Sequence, residues 1–254
     1  MHIDAILRQD PGWQQATSGS HSDVVVLCDL NVGRNLNDFP FPCRCTAEER
    51  VTVERRVVSV LDQLNLLASG HYVSLPELSP AAIQLLAERQ LISPALTQPK
   101  SGQGVYVAQD QCLSIMINDE DHCCIRVLAS GLQLQEAWAR ASLIDDTLCG
   151  VLDFAFSGQY GFLTQNLAHA GTGLRCTILL HLPACVYKNE LPELRALAEE
   201  QGLTFSGVGI GDPTASTAAS AVPAVQALYS SMDGFVSRPP HESEGDLFQL
   251  SNRA

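Results

Sequence analysis

Seven short apolar runs, separated by helical stretches of unequal length, most limit what this chain can fold into. They are SDVVVLCDL (Ser22 to Leu30), GVYVAQ (Gly104 to Gln109), CLSIMI (Cys112 to Ile117), HCCIRVL (His122 to Leu128), LRCTILLHL (Leu174 to Leu182), TFSGVGIG (Thr204 to Gly211) and DLFQLSN (Asp246 to Asn252). Each has the length and the β-branched or aliphatic content of a buried strand, with turn residues at its borders. Helix signals are equally local. Thr46 and Glu49 form a capping-box pattern ahead of Val53, Val57, Val60, Leu61 and Leu64 at helical spacing, and Ser79-Pro80 opens LSPAAIQLLAERQL. A long amphipathic helix is predicted from Gln135 to Phe156, on the stripe Trp138, Ala141, Ile144, Leu148, Val151 and Phe154. ELPELRALAEEQGL reads as a further helix ended by Gly202. Strands and helices do not alternate as βαβ units, so the pattern points to an α+β fold rather than a doubly wound sheet.

Composition narrows the function classes. The chain has 254 residues, 46% hydrophobic and 17% charged, enough for one large or two small globular domains. A net charge of -13 argues against a nucleic-acid surface, which needs clustered Lys and Arg, and favours cationic protein partners. No apolar run reaches the roughly 20 residues of a membrane span, and MHIDAILRQDPGW lacks the form of a signal peptide, so no membrane contact and a cytoplasmic location are expected. Residues 1–21 read as an N-terminal segment and 22–254 as the domain, with a mobile insertion expected at 213–245 that carries one short helix around Ala224 to Tyr229. Nine cysteines without a C-x-x-C pair suggest neither a disulfide framework nor a metal site. Cys28, Cys112, Cys123, Cys124, Cys176 and Cys185 lie in or beside strand-like runs and read as small hydrophobes, while Cys43 and Cys45 form a close pair on a loop.

Three motifs carry chemistry: SIMINDEDH (Ser114 to His122), GFLTQNLAHAGTGLR (Gly161 to Arg175) and FQLSN (Phe248 to Asn252). Taken alone, the acidic run NDEDH reads as a solvated turn joining two strands. In order and spacing, however, the three motifs resemble the catalytic domain of the ATP:guanido phosphotransferases, most closely the bacterial protein-arginine kinases, over about Ser22 to Asn252. The resemblance implies a glutamine synthetase/guanido kinase-like fold, a large antiparallel sheet flanked by helices. It also implies ATP and Mg as cofactors in an active member, and an arginine-bearing protein substrate or regulatory partner protein. Relatives of this kind continue beyond LSN, so it further implies a shortened relative or an incomplete chain. Phosphoryl transfer to a guanidinium needs cations that hold the triphosphate and carboxylates that grip the guanidinium and take its proton. By the resemblance Glu120 is the catalytic glutamate, and Asp212 stands for a second carboxylate if one residue is inserted. His122 and His181, each beside a strand, read as structural.

The cationic half departs from the family pattern. In LCDLNVGRN, Asp29 and Asn31 replace the first two arginines and Arg34 remains; Gln90 replaces a histidine, Cys124 and Ser206 replace arginines, and Asn166 replaces a cysteine. Gly171, Thr172, Gly173 and Arg175 keep the glycine frame, with Thr177 in place of serine. The nucleotide-binding remnant is therefore Arg34, Arg126, Arg175 and Thr177. Arg126, two residues beyond Cys124 on the same strand face, is the best placed to compensate. Losing three charge-assisted contacts of roughly 1.5 to 3 kcal/mol each removes about 4 to 9 kcal/mol. Micromolar to millimolar nucleotide binding amounts to about 4 to 8 kcal/mol in total. The leading expectation is a degenerate, non-catalytic family member that binds an arginine-bearing protein or a partner subunit through its acidic pocket. The alternatives are a working phosphotransferase with a modified nucleotide site and a purely structural role.

Overall fold

The computed structural model describes residue 6 and residues 10–15, 19–208 and 246–252. Its centre is strand β1 (Val25–Arg34), in which nearly every side chain is buried because both sheet faces are covered there. The other strands of the main sheet are β2 (Gly70–Ser74), β3 (Gly104–Ala108), β4 (Leu113–Ile117), β5 (Cys123–Ser130), β8 (Leu174–His181), β9 (Leu203–Gly207) and β10 (Leu247–Asn252). They lie in the order β2-β3-β4-β5-β1-β8-β10-β9. Every pairing is antiparallel. A separate small hairpin pairs β6 (Phe156–Ser157) with β7 (Gly161–Phe162).

Side chains alternate across a strand, so the register of β1 sorts the molecule into two faces. Leu30 and Val32 join Val127, Ile125 and Ile115 on one face, under α2 (Ala47–Gln63) and α4 (Leu134–Cys149). The opposite face carries the polar residues. Asn31 lies between Arg126 of β5 and Arg175 of β8, and Asp29 lies beside Thr177. This face is roofed near β2, β3 and β4 by α3 (Pro80–Glu88), whose Ile83 and Leu86 join Val105, Val107, Met116 and Cys124. Near the other end Trp13 of the short helix α1 (Gly12–Gln15) packs with Leu27, Leu128 and Leu179. Helices α5 (Pro183–Lys188) and α6 (Leu191–Glu200) border the last strands, where Phe205 and Phe248 stack with centroids 5.3 Å apart.

The local signals in the sequence are realised at several ends. Thr46 and Glu49 form the reciprocal capping box, Ser79 accepts from the Ala82 amide ahead of Pro80, and Gly202 has φ +71°. Others require correction. Helix α4 stops at Cys149 with Gly150 as its cap, well short of Phe156. Its buried stripe is Ala137, Ala141, Ile144 and Leu148, whereas Trp138 is 42% and Val151 50% exposed. Phe154 reaches the core through a bridge to Leu36 instead. Strand β2, GHYVS, is too short and too polar at its start to be read from pattern. Cys185 lies in helix α5 rather than beside a strand. Strand β9 ends at Gly207; Asp212, the expected helix at Ala224 to Tyr229 and the insertion 213–245 lie outside the described residues. No helix among the described residues is long and apolar enough to cross a membrane.

Candidate functional site

The NDEDH motif forms the turn between β4 and β5, and most of its polar groups are committed to holding that turn. Asn118 adopts φ +55°, and its amide donates to the His122 carbonyl at 3.1 Å. Its side-chain amide donates to the carbonyls of Arg50 (2.9 Å) and Gly102 (2.6 Å). Asp119 accepts from the Ser93 hydroxyl at 2.6 Å. Asp121 accepts from Asn35 Nδ2 at 2.5 Å and from the Gln165 amide at 2.8 Å, which ties the turn to the glycine-rich loop. Burial pushes the carboxyls of Asp119 and Asp121 upward, against these hydrogen bonds. His122 is fully buried and accepts the Leu36 amide at Nδ1, 3.1 Å away; burial lowers its pKa to about 4, so the ring is a neutral structural acceptor.

Glu120 is different. Among the described residues it makes no hydrogen bond, and its carboxylate faces a cleft lined by Asn31, Cys124, His169, Gly173 and Arg175. Arg175 Nη1 and His169 Nδ1 each stand 4.0 Å from a Glu120 oxygen, on either side of a carboxylate side chain that remains 35% exposed. Two glycines allow this crowding. A Cβ on Gly33 would lie 2.4 Å from Asp121 Oδ2, and Gly173, at φ +67°, leaves room for the Gly33 carbonyl and the Arg34 guanidinium. A carboxylate loosely held at the mouth of a cleft can exchange its present neighbours for a planar guanidinium donor.

The cations are largely occupied. Arg126 is 1% exposed and donates through Nε to Asp29 Oδ1 at 2.9 Å and through Nη2 to Asp29 Oδ2 at 2.5 Å. Two further donors, one on Nη1 and one on Nη2, reach the Ile92 carbonyl at 3.3 Å and Gln90 Oε1 at 3.2 Å. Asn31 Nδ2 adds a third contact to Asp29, at 2.7 Å. Burial opposes the charge on Arg126, yet the Asp29 carboxylate more than offsets this and raises its pKa. Asp29 and Gln90, two of the residues that depart from the family pattern, thus enclose the one arginine placed to compensate for them.

Arg34 serves the scaffold. It falls on the face of β1 covered by α2 and α4, where Nη2 meets Asp145 of α4 at 2.7 Å and Nη1 reaches the Gly33 and Thr172 carbonyls, both at 2.8 Å. Its guanidinium lies 3.6 Å from the centroid of Phe162, fastening the small hairpin to the sheet. Thr177 is buried on the same face as Asp29, and Arg175 borders the cleft directly.

Sequence reading passed over His169 and Asp145. His169 stands inside the glycine-rich motif, four residues before Gly173, and its position beside Glu120 depends on how that loop closes. Asp145 left a readable signal, a carboxylate beside Ile144 on the helical stripe of Ala141 and Leu148. Cys45, from the loop pair, is buried with Sγ 3.6 Å from His122 Nε2, while Cys43 is exposed. No group of His, Cys, Asp and Glu among the described residues is arranged to hold a metal ion.

Comparison with known proteins places this architecture. Residues 52–222 match the family model of the ATP:guanido phosphotransferase C-terminal catalytic domain. The chain is 37% identical over 208 residues to a protein-arginine kinase of Symbiobacterium thermophilum, covering 81% of this chain and 59% of that protein. It is 36% identical over 208 residues to a protein-arginine kinase of Halothermothrix orenii, with 82% and 59% coverage. It therefore spans about 59% of the length of these relatives. Among solved structures, a duplicated taurocyamine kinase from Schistosoma mansoni matches with TM-score 0.69 at 20% identity, over 92% of this chain and 30% of that one. A lombricine kinase matches with TM-score 0.68 at 20% identity, over 98% and 63%. The antiparallel sheet with its flanking helices is thus the guanido kinase catalytic fold, and the chain belongs to the ATP:guanido phosphotransferase family.

Proposed function

We propose that this chain is a protein-arginine kinase-like member of the family whose catalysis is degenerate, and that it binds an arginine-bearing protein or a partner subunit through Glu120. The supporting observation is the closed pair of Arg126 and Asp29, with Nη2 at 2.5 Å from Oδ2 and both side chains buried. A carboxylate fills the position that would meet a phosphate, and the buried arginine beside it already directs four of its five N–H donors to Asp29, Gln90 and the Ile92 carbonyl. Asn31, Cys124 and Ser206 bring no charge to the same face. The residues present do not suit a triphosphate with its magnesium, and no phosphoryl-transfer step follows from them. The acidic half keeps a carboxylate open to a guanidinium, which suits a cytoplasmic protein that recognises arginine without modifying it.

One observation favours the alternative, an active ATP-dependent phosphotransferase to protein arginine with a modified nucleotide site and a second carboxylate at Asp212. Arg175 is partly exposed at the cleft, and its Nε has no hydrogen-bond partner among the described residues. Titration calorimetry with Mg-ATP separates the readings. The degenerate reading expects no saturable heat below millimolar nucleotide, together with arginine-peptide binding that disappears in Glu120→Gln. Micromolar Mg-ATP affinity, or phosphoarginine that forms on a peptide and vanishes in Glu120→Gln, would overturn it.

A further inference from the structure

Arg34, Arg126 and Arg175 belong to the three central strands of the sheet, and two of them are closed on a carboxylate. Arg126 donates to Asp29 at 2.9 and 2.5 Å, and Arg34 to Asp145 at 2.7 Å. Arg175 is left open. It is the second residue of β8, opposite Asn31 of β1, and its side chain lines the Glu120 cleft while staying 23% exposed. Its Nη1 stands 4.0 Å from Glu120 Oε2, about 1 Å beyond the span of a charge-assisted hydrogen bond. Its Nε is buried and has no hydrogen-bond partner among the described residues. Asp119, in the same lining, faces the Arg175 charge as well. His169 Nδ1 lies 4.0 Å from the other Glu120 oxygen, but an imidazole is a full cation only when protonated, whereas a guanidinium is charged at every working pH. The chain thus supplies its own guanidinium to the carboxylate that is open to one.

We propose that Arg175 is an internal competitor for Glu120: its guanidinium caps the carboxylate in the free protein, and a guanidinium from outside binds only by displacing it. This inference rests on the guanidinium reading of Glu120 and adds to it an autoinhibitory contact. Displacement is feasible because the pair is poised rather than closed. No hydrogen bond between Arg175 and Glu120 has to break, and Arg175, unlike Arg126, keeps contact with water, so its charge is not stranded when Glu120 turns to a ligand. What opposes entry is the repulsion of two guanidinium groups at one carboxylate. Two like charges about 5 Å apart near a protein surface shift an equilibrium by about tenfold or more. The charge of Arg175, rather than its shape, carries this effect, since repulsion persists wherever the side chain turns within the cleft. Arg175 therefore holds down the affinity of the cleft for a lone cation.

The test is a titration of the full chain with N-acetylarginine amide, a single guanidinium without a neighbouring charge, followed by NMR shifts of the isotope-labelled protein and repeated with Arg175→Gln and Arg175→Lys. Arg175→Gln removes the charge at a partly exposed position and is expected to bind the probe about tenfold more tightly than the native protein, a difference of about 1.4 kcal/mol. Arg175→Lys keeps the charge and should stay within about threefold of native. Binding detected only in Arg175→Gln gives the same answer at the limit of the assay. Unchanged or weaker binding in Arg175→Gln, with native binding lost in Glu120→Gln, overturns the competitor and leaves the Glu120 pocket standing. An equal gain in Arg175→Lys also overturns it, because charge is then not what competes. So does a gain in Arg175→Gln that survives the addition of Glu120→Gln, which assigns the binding to another place. Failure of the native protein and of every variant to bind the probe overturns the guanidinium reading and the competitor together.

Discussion

Replacing Asp29 with alanine tests the closed ion pair most directly. The native carboxylate accepts from Arg126 Nε at 2.9 Å, from Arg126 Nη2 at 2.5 Å and from Asn31 Nδ2 at 2.7 Å. Its removal leaves Arg126, with a side chain 1% exposed, without its bonded carboxylate, hydrogen-bonded to the Ile92 carbonyl and the Gln90 amide oxygen and facing a more distant carboxylate at Asp119. Removing one partner of a buried pair costs about 3 to 5 kcal/mol, because the remaining charge is neither solvated nor neutralised. With a urea slope of about 3 kcal/mol per molar, the unfolding midpoint should fall by about 1 to 1.7 M. Asp38→Ala is the internal control. Asp38 faces Arg56 at 2.6 Å, but the side chains are 56% and 47% exposed, and such a pair contributes less than about 1 kcal/mol. Asp29→Leu combined with Arg126→Met should recover most of the loss, since an apolar pair of similar volume leaves no orphaned charge. If Asp29→Ala unfolds no earlier than Asp38→Ala, the pair is not the closed unit described here, and the main support for a degenerate nucleotide site falls with it.

Two further outcomes follow from the geometry. His122 has its pKa lowered to about 4 by burial, so between pH 6.5 and 4 the unfolded chain binds the extra proton. Its neutral form contributes fully above pH 6.5 and that contribution is lost as pH falls toward 4, by about 3 kcal/mol. Urea unfolding of the native protein and His122→Gln across this range should show the native curve falling more steeply. Gly173→Ala should cost about 2 kcal/mol or more by the same assay, because φ +67° strains an L residue and the new Cβ would stand 2.5 Å from Arg34 Nη1. Gly158→Ala, which meets nothing within 4 Å, should stay within about 0.5 kcal/mol of the native protein.

The capping box at Thr46, the proline start at Pro80 and the left-handed stop at Gly202 could all be read from sequence, because each depends on residues within a few positions of one another. So could the apolar strands and the placing of NDEDH at a strand connection. The spacing of apolar residues carries the expected helix past the true end of α4 for a complementary reason: Val151 and Phe154 continue the helical spacing, but Gly150 ends the helix and a strand-like bridge to Leu36 buries Phe154.

Alone, the sequence determined which charges this chain owns and which family pattern it departs from: carboxylates at Asp29 and Glu120, arginines at Arg34, Arg126 and Arg175. Only the tertiary structure decided what each charge is doing. The register of β1 against β5 and β8 sets Asp29 and Arg126 on one face within bidentate reach and turns Arg34 to the other, toward Asp145. Pairing between charges distant in sequence is a property of strand register and burial, and both are settled by the packing of the whole sheet rather than by any local run of residues.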